Sequence, residues 1–348
     1  MGLYVSKYSQ VIDKEVLRCT LCNHYCVIPN GGLGKCRVRQ NINGDLISLN
    51  WGRVCSICID PIEKKPLYHF YPGAKVLSFA CLGCNFTCLN CQNYHISKEW
   101  TQEYLTSSEN DRIISPNEIV RHAVANSVLG IAYTYSEPTV YWDYIADIIS
   151  ESRIQAPELK HILVTNGYFS DEVLDEIIAN ELIDAMNIDL KFIDEANYRK
   201  IAGAKLQPIL RNIERIVSES DIHFEITNLL IPGVNDDDEV IAKLCETVKS
   251  ISADIPIHFS GFFPTYKMQN IESTAISALI NAKQIAESIG IRHIFIGNTA
   301  ADGVSDTLCK HCGEILIKRN GYNVTILGKK VSNGMECATC SSVIEIII

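Results

Sequence analysis

Ser78–Asn93 reads SFACLGCNFTCLNCQN. Cys84, Cys88 and Cys91 stand in it as Cys-x3-Cys-x2-Cys, in a short loop just after an apolar run. Three thiolates so spaced can hold three irons of a cubane [4Fe-4S] cluster, because such clusters take cysteine thiolate ligands. No fourth cysteine completes a ferredoxin-type run; Gln92 and Asn93 follow instead. An iron without a protein ligand is open to a small molecule, which suits chemistry rather than simple electron transfer. The competing reading is a zinc site. Zinc motifs usually pair two Cys-x2-Cys knuckles, and this loop has only Cys88 and Cys91 so spaced.

Working outward, the other cysteines fall at the two ends of the chain. RCTLCNHYCVIPNGGLGKC places Cys19, Cys22, Cys26 and Cys36 in one N-terminal group. Glycines before Cys36 allow the tight backbone that returns the last thiol to the first three. Four thiolates fit a structural zinc ion, and they also fit an auxiliary iron–sulfur cluster; the spacing leaves both open. His24 reads as a bystander. Cys55, Cys58 and Cys81 either serve one more metal or are buried free thiols, and Cys245 reads as core. Near the C-terminus, Cys309-x2-Cys312 and Cys337-x2-Cys340 read as two knuckles of a zinc ribbon. Between them ILIKRNGYNVTIL reads as two strands around Asn320-Gly321.

The chain has 348 residues, 47% apolar and 21% charged, with 15 cysteines. This is ordinary for a globular protein except for the cysteines, which are too many for packing alone. The N-terminus shows no basic segment followed by an apolar one, and no window approaches a membrane span. The expectation is a cytoplasmic protein without membrane contact, whose clustered cysteines bind metal rather than form disulfides. The net charge of −10 argues against nucleic-acid binding.

Residues 70–300 alternate short apolar runs with helical patterns. The predicted strands are 76–80, 131–135, 161–165, 185–190, 222–227, 255–260 and 293–297. Ser115-Pro116-Asn117-Glu118 is a capping box that opens a helix over 116–128. Ser170-Asp171-Glu172 opens another, and a third over 273–288 is stopped by Gly290. Strand–helix alternation implies a parallel sheet. A full eight-unit barrel typically takes about 250 residues, so the expected fold is α/β, a partial (βα)6-type TIM barrel. The expected organisation is an N-terminal Cys-rich module over 1–70, the barrel over 71–302 and the ribbon over 303–348.

In parallel βα folds the site lies at the C-terminal strand ends, and the polar residues gather there. The cluster cysteines follow the first strand. Ser136-Glu137-Pro138 follows the second and Asn166-Gly167 the third. Asp189 and Lys191 close the fourth, and His258 lies on the sixth. Each has a plainer reading. Glu137 could complement the helix opened by Pro138, Asn166-Gly167 could be a turn, Lys191 could snorkel from the rim, and His258 could be a satisfied core histidine.

Taken in order, DPIEKKPLYHFYPG, CNFTCLNCQNYHIS, AYTYSEPTVYWDY, VTNGY, NIDLKF and HFSGFFPTYKM resemble the AmmeMemoRadiSam-system radical S-adenosylmethionine (SAM) enzymes. These are relatives of the pyruvate formate-lyase activating enzymes. The resemblance implies an oxygen-sensitive [4Fe-4S] cluster on Cys84, Cys88 and Cys91, with SAM on the fourth iron. It implies that Glu137 receives the SAM amino group and Asn166 contacts bound SAM. Lys191 would face the SAM carboxylate or the substrate; Lys191 and Asp189 are the candidate catalytic residues, and His258 is a further candidate cofactor contact. A low-potential donor such as ferredoxin or flavodoxin would supply electrons. The expected substrate is a protein or peptide, at a glycine Cα as in activating enzymes, with Memo-like and AMMECR-type proteins as partners. Where such enzymes usually carry an aromatic residue before the third cysteine, this chain has Asn90, with Phe86 and Tyr94 nearby. Where related sequences carry basic or histidine residues, it has Gly261-Phe262-Phe263. An RNA-modifying radical SAM enzyme would show a basic surface interleaved with aromatics. A non-catalytic iron–sulfur or zinc scaffold would not need Glu137, Asn166 and Lys191 at strand ends.

Overall fold

A computed structural model of the chain describes residues 3–101, 105, 113–299, 303–332 and 334–348. Its centre is one eight-stranded sheet. The strands are β1 (Val54–Pro61), β2 (Lys75–Cys81), β3 (Gly130–Tyr133), β4 (Lys160–Thr165), β5 (Ala185–Asp189), β6 (His223–Leu230), β7 (Ile257–Gly261) and β8 (Ile294–Gly297). They neighbour one another in chain order, β2 to β8 all parallel and β1 antiparallel on the β2 edge. The crossovers carry α1 (Pro116–Ala125), α2 (Trp142–Gln155), α3 (Asp171–Ala179), α4 (Gln207–Glu219), α5 (Asp238–Ile251) and α6 (Ile276–Ile289). The result is six βα units followed by a seventh parallel strand, an α/β partial barrel.

Local chemistry sets these elements. The strands are almost wholly buried runs, as strands covered by helices must be. Ser115 and Glu118 close the capping box of α1, and Gly290 stops α6 at φ +98°. The strand β1 was not expected from the sequence. VCSICIDP mixes thiols, a serine and an acid, so no clean alternation marks it, and pairing with β2 is what makes it a strand.

The two ends of the chain cover opposite ends of the barrel. N-terminal strands Tyr4–Val5, Arg39–Ile42 and Asp45–Ser48 form one small sheet, and Ser9–Asp13, Val16–Cys19 and Val27–Pro29 another. This unit sits beside the C-terminal strand ends. Cys22 bridges to Phe169, Asn50 Nδ2 donates to the Leu82 carbonyl at 2.8 Å, and buried Arg39 pairs with buried Asp143. The C-terminal segment carries the expected hairpin, Ile315–Asn320 against Asn323–Ile326, and packs at the opposite end. There Phe70 bridges Ile347, and the Arg319 guanidinium donates to the Tyr68 carbonyl at 2.7 Å.

Candidate active site

The cluster loop is shaped by backbone. Thr87 and Leu89 donate their N–H groups to Ala202 and Ile201 at 2.8 and 3.0 Å. The turn that supplies those carbonyls ends at Gly203, φ +69°, where a Cβ would lie 2.1 Å from Thr87 Oγ1. Lys98 Nζ donates to the Cys84 carbonyl at 2.8 Å. Cys84, Cys88 and Cys91 are half-buried. Burial pushes the Cys88 thiol up to about 11 against the pull of the Lys191 charge, and pushes Cys84 higher still against Lys98. Such thiols become ligands only when a metal displaces their protons.

These three cysteines open onto a cavity of about 280 Å³ above the strand ends. Glu137, Asn166, Asp189 and Lys191 line it with them, so the structure brings together the expected residues of four different strand ends. Burial raises the Glu137 pKa, although its carboxylate is well supplied with donors. Oε1 accepts from Thr139 N, Thr139 Oγ1 and Thr165 Oγ1 at 3.1, 2.6 and 2.7 Å, and Oε2 accepts from Asn166 N at 2.9 Å. Glu137 therefore also caps the short helix Pro138–Tyr141. Each carboxylate oxygen has two lone pairs; three donors share those of Oε1, whereas Oε2 takes one donor and keeps a second acceptor position.

Asn166 Nδ2 donates to Asn85 Oδ1 at 2.8 Å, and Asn166 Oδ1 accepts from Tyr168 N at 3.0 Å. Lys191 Nζ pairs with Asp189 Oδ2 at 2.7 Å. Burial alone would lower the ammonium pKa, but the charges of Asp189 and Cys88 outweigh it and raise it, so Lys191 stays a cation in the cavity. Phe86 lines the cavity, as does Asn90 with a buried and unpaired Oδ1. Tyr94 instead stacks on Tyr266, ring centres 4.7 Å apart.

His258 is not among the cavity residues. It lies one layer down the barrel, 1% exposed, with Nε2 2.5 Å from Glu225 Oε2. The reading as a cofactor contact is corrected: Ser260, two residues on, points the same way along the strand and reaches the cavity. Glu225 also accepts from the backbone N–H groups of Tyr68 and His69, both at 2.8 Å. The pair thus fastens the PLYHFYPG segment beneath the barrel.

Sequence reasoning missed Tyr135, Thr165, Thr227, Ser260 and Asn298, which also line the cavity. Tyr135 sits at φ +65°, uncommon for a tyrosine. Its hydroxyl bonds Asp60, which holds buried Lys65 at 2.7 Å, and the Lys65 ammonium lies 4.6 Å from the Tyr135 ring centre. The DPIEKKP segment therefore braces one wall of the cavity. Only the run of polar residues after β3 could have signalled it.

Among the described residues, one group of three or more metal-ligating side chains has all ligand atoms within 4.8 Å of one another: Cys309, Cys312, Cys337 and Cys340. The Cys309–Cys340 and Cys312–Cys337 sulfurs are 3.6 and 3.5 Å apart. These four can hold one metal ion. Cys84, Cys88 and Cys91 do not form so tight a group, and a cluster that binds each thiolate to a different iron does not need one. Cys58 is exposed, whereas Cys81 and Cys245 are buried.

The radical SAM superfamily profile matches residues 80–245, from the cluster loop to α5. A protein of Methanocaldococcus jannaschii, MJ0808, is 36% identical over 342 residues, 98% of each chain. The (2S)-3-sulfopropanediol sulfolyase activating enzyme of Bilophila wadsworthia is 28% identical over 120 residues, 34% of this chain and 38% of that one. The crystal structure of a radical SAM methyltransferase from Sphaerobacter thermophilus superposes with a TM-score of 0.52 at 12% identity, covering 90% of this chain and 81% of that one, which marks a shared fold. No helix among the described residues is long and apolar enough to cross a membrane. Cluster loop, parallel strands and matching profile agree: residues 80–245 are a radical SAM domain, and the chain is an enzyme of that class.

Proposed function

We propose that the protein is an activating-type radical SAM enzyme acting on a protein or peptide. The observation that carries this reading is the meeting of Cys84, Cys88 and Cys91 with Glu137, Asn166, Asp189 and Lys191 around one cavity. The donor set fits the cofactors: three thiols, a carboxylate with one free acceptor position on Oε2, and a cation lining the same cavity. When bound, the [4Fe-4S] cluster and SAM supply reductive cleavage to methionine and a 5′-deoxyadenosyl radical, which takes a hydrogen atom from the substrate.

The chain's own residues bind and orient. Cys84, Cys88 and Cys91 hold the cluster. Glu137 Oε2 accepts a charge-assisted hydrogen bond from the SAM ammonium. Asn166, fixed by Asn85 and Tyr168, presents its amide beside it. Lys191, oriented by Asp189, faces the SAM carboxylate or the substrate. Phe86 forms part of the apolar wall that excludes water. Likeness to a sulfolyase activating enzyme supports a protein as the substrate, and a glycine Cα is the proposed reacting position. A ferredoxin- or flavodoxin-type donor and Memo-like or AMMECR-type proteins are the proposed partners, in the cytoplasm. In the proposed organisation, residues 1–70, 71–302 and 303–348 are the N-terminal module, barrel and ribbon, the first lending β1 to the barrel sheet.

The ribbon thiols take zinc in this reading. A tetrahedral Zn–S bond of about 2.3 Å sets sulfurs about 3.8 Å apart, close to the distances between Cys309 and Cys340 and between Cys312 and Cys337. The deciding experiment is anaerobic. Reconstituted protein with SAM and dithionite should release 5′-deoxyadenosine, faster with the true partner protein present. Product from a variant with Cys84, Cys88 and Cys91 all changed to Ala would refute the reading.

A further inference from the structure

We propose that Cys19, Cys22, Cys26 and Cys36 hold a second, fully protein-ligated [4Fe-4S] cluster, placed to pass electrons to the site above the barrel. The relay role rests on the function proposed above; the cluster itself does not. All four cysteines line one small cavity, together with Arg39, Asn85 and His24. A single zinc ion would need four sulfurs about 3.8 Å apart. The same chain builds that arrangement in its ribbon, whereas the N-terminal four do not fall within the 4.8 Å limit that the ribbon meets. A cubane binds each thiolate to a different iron, so its sulfurs stand further apart.

A second observation concerns donors. Asn85 Nδ2 and Arg39 Nε are buried and have no hydrogen-bond partner. Both residues line the cysteine cavity, at 0% and 1% exposure. A buried unpaired donor is costly, so the occupant should accept hydrogen bonds. The inorganic sulfides of a cluster add acceptors inside the cavity that a lone zinc ion lacks.

The position is next to the SAM-site cysteines. Asn85 follows Cys84 directly in the chain, about 3.8 Å between Cα atoms, and each lines its own cavity. His24 Nε2 meets the Asn85 carbonyl at 2.9 Å. The His24 ring packs on Tyr168 at 4.9 Å and Tyr168 on Phe86 at 5.2 Å, so covalent and packed contacts connect the two cavities without a gap. Exposed Lys35, whose N–H points to Cys26 Sγ at 3.5 Å, marks the approach from solvent. One electron from a low-potential iron–sulfur or flavin donor reduces the N-terminal cluster, and the same electron leaves it for the SAM-site cluster, returning it to its oxidised state.

The test uses the full chain reconstituted anaerobically with iron and sulfide. The Cys84→Ala, Cys88→Ala, Cys91→Ala triple variant should keep about four irons, with a reduced-state paramagnetic signal that SAM does not alter. A triple variant without iron and carrying about two zinc ions, one at each end of the chain, would overturn the proposal. If that variant does not fold, the wild type decides. About eight irons and one zinc support it, and about four irons and two zincs overturn it. In reduced wild type, the signals of the two clusters should broaden each other through magnetic coupling; two independent signals would overturn the relay. Iron retained in the triple variant, with no SAM cleavage by the wild type, would sink the proposed function and leave the second cluster standing.

Discussion

At the scale of single residues, Glu137 does two things at once. Its carboxylate accepts from Thr139, Thr165 and Asn166, and it keeps one acceptor position toward the cavity. Glu137→Gln replaces one oxygen by an amide nitrogen that cannot accept. A charged hydrogen bond to SAM contributes about 1.5–3 kcal/mol, so SAM affinity should fall roughly tenfold or more. The same change opposes an N–H or O–H donor to an NH2 group, at a cost of about 1–3 kcal/mol in stability. Calorimetric SAM titration and denaturant unfolding of one variant separate the effects; unchanged affinity with lost stability would leave Glu137 a helix cap alone. Lys191→Met should keep the fold and iron content and weaken SAM or substrate binding, because the ammonium faces the cavity while its stem packs at the strand end.

At the scale of elements, the cluster loop depends on a turn that is distant in sequence. Gly203 holds φ +69° beneath Thr87. Alanine there takes a left-handed conformation that costs about 1–2 kcal/mol, and its Cβ collides with the threonine hydroxyl unless that side chain rotates. Gly203→Ala should therefore lower the iron retained after anaerobic desalting while the far-ultraviolet spectrum stays unchanged. Full iron retention would show that the loop is held without this turn. The strands and helices of the barrel were legible in advance because their patterns are strong. Every expected parallel strand is present with ends moved by a few residues, and Ser115 and Gly290 mark helix boundaries as capping chemistry requires. Strand β1 was illegible because hydrogen bonding to β2, not its own side-chain pattern, makes it a strand.

At the scale of the molecule, the ribbon closes the end of the barrel opposite the cavity. Arg319 is 3% exposed, donates to the Tyr68 carbonyl at 2.7 Å and to Thr307 Oγ1 at 2.9 Å, and lies 4.4 Å from the Tyr68 ring centre. Arg319→Ala should cost roughly 2–4 kcal/mol, from lost hydrogen bonds to a charged group and lost stacking. Stripping the ribbon metal should act in the same place, since so small a core depends on its ion. Hydrogen exchange should then rise over residues 307–348 and in the Tyr68–Phe70 segment together; a rise confined to the ribbon would mean that the two are not coupled. Acid should loosen the molecule too. Burial lowers His161 and His293 to about 4, whereas in the unfolded chain they titrate near 6.5. The unfolded chain takes up these protons first, so stability is intact above about pH 6.5 and falls as pH drops toward 4. The slope is about 1.4 kcal/mol per pH unit per histidine. Glu225, pushed up by burial but held well below its usual range by His223 and His258, loses its contribution in the same direction at lower pH. Denaturant unfolding at pH 7 and pH 5 checks the sign.

What the sequence determined by itself was whatever local spacing encodes. Cys84, Cys88 and Cys91, the ribbon knuckles and the alternation of strands and helices are short-range patterns, and they led to the α/β fold and the radical SAM class. The approach of Glu137, Asn166, Asp189 and Lys191 to one cavity was also foreseeable, because parallel strands deliver their C-terminal ends to one side. Tertiary structure alone decided which of two alternating strand layers meets the cavity, and that moved His258 to the Glu225 pair and put Ser260 in the wall. It also decided that the N-terminal module lies beside the cavity and the ribbon beneath it. Those placements rest on contacts such as Arg39 with Asp143 and Arg319 with Tyr68. Their partners are about a hundred residues or more apart in the chain, and no local pattern can specify a pairing at that range.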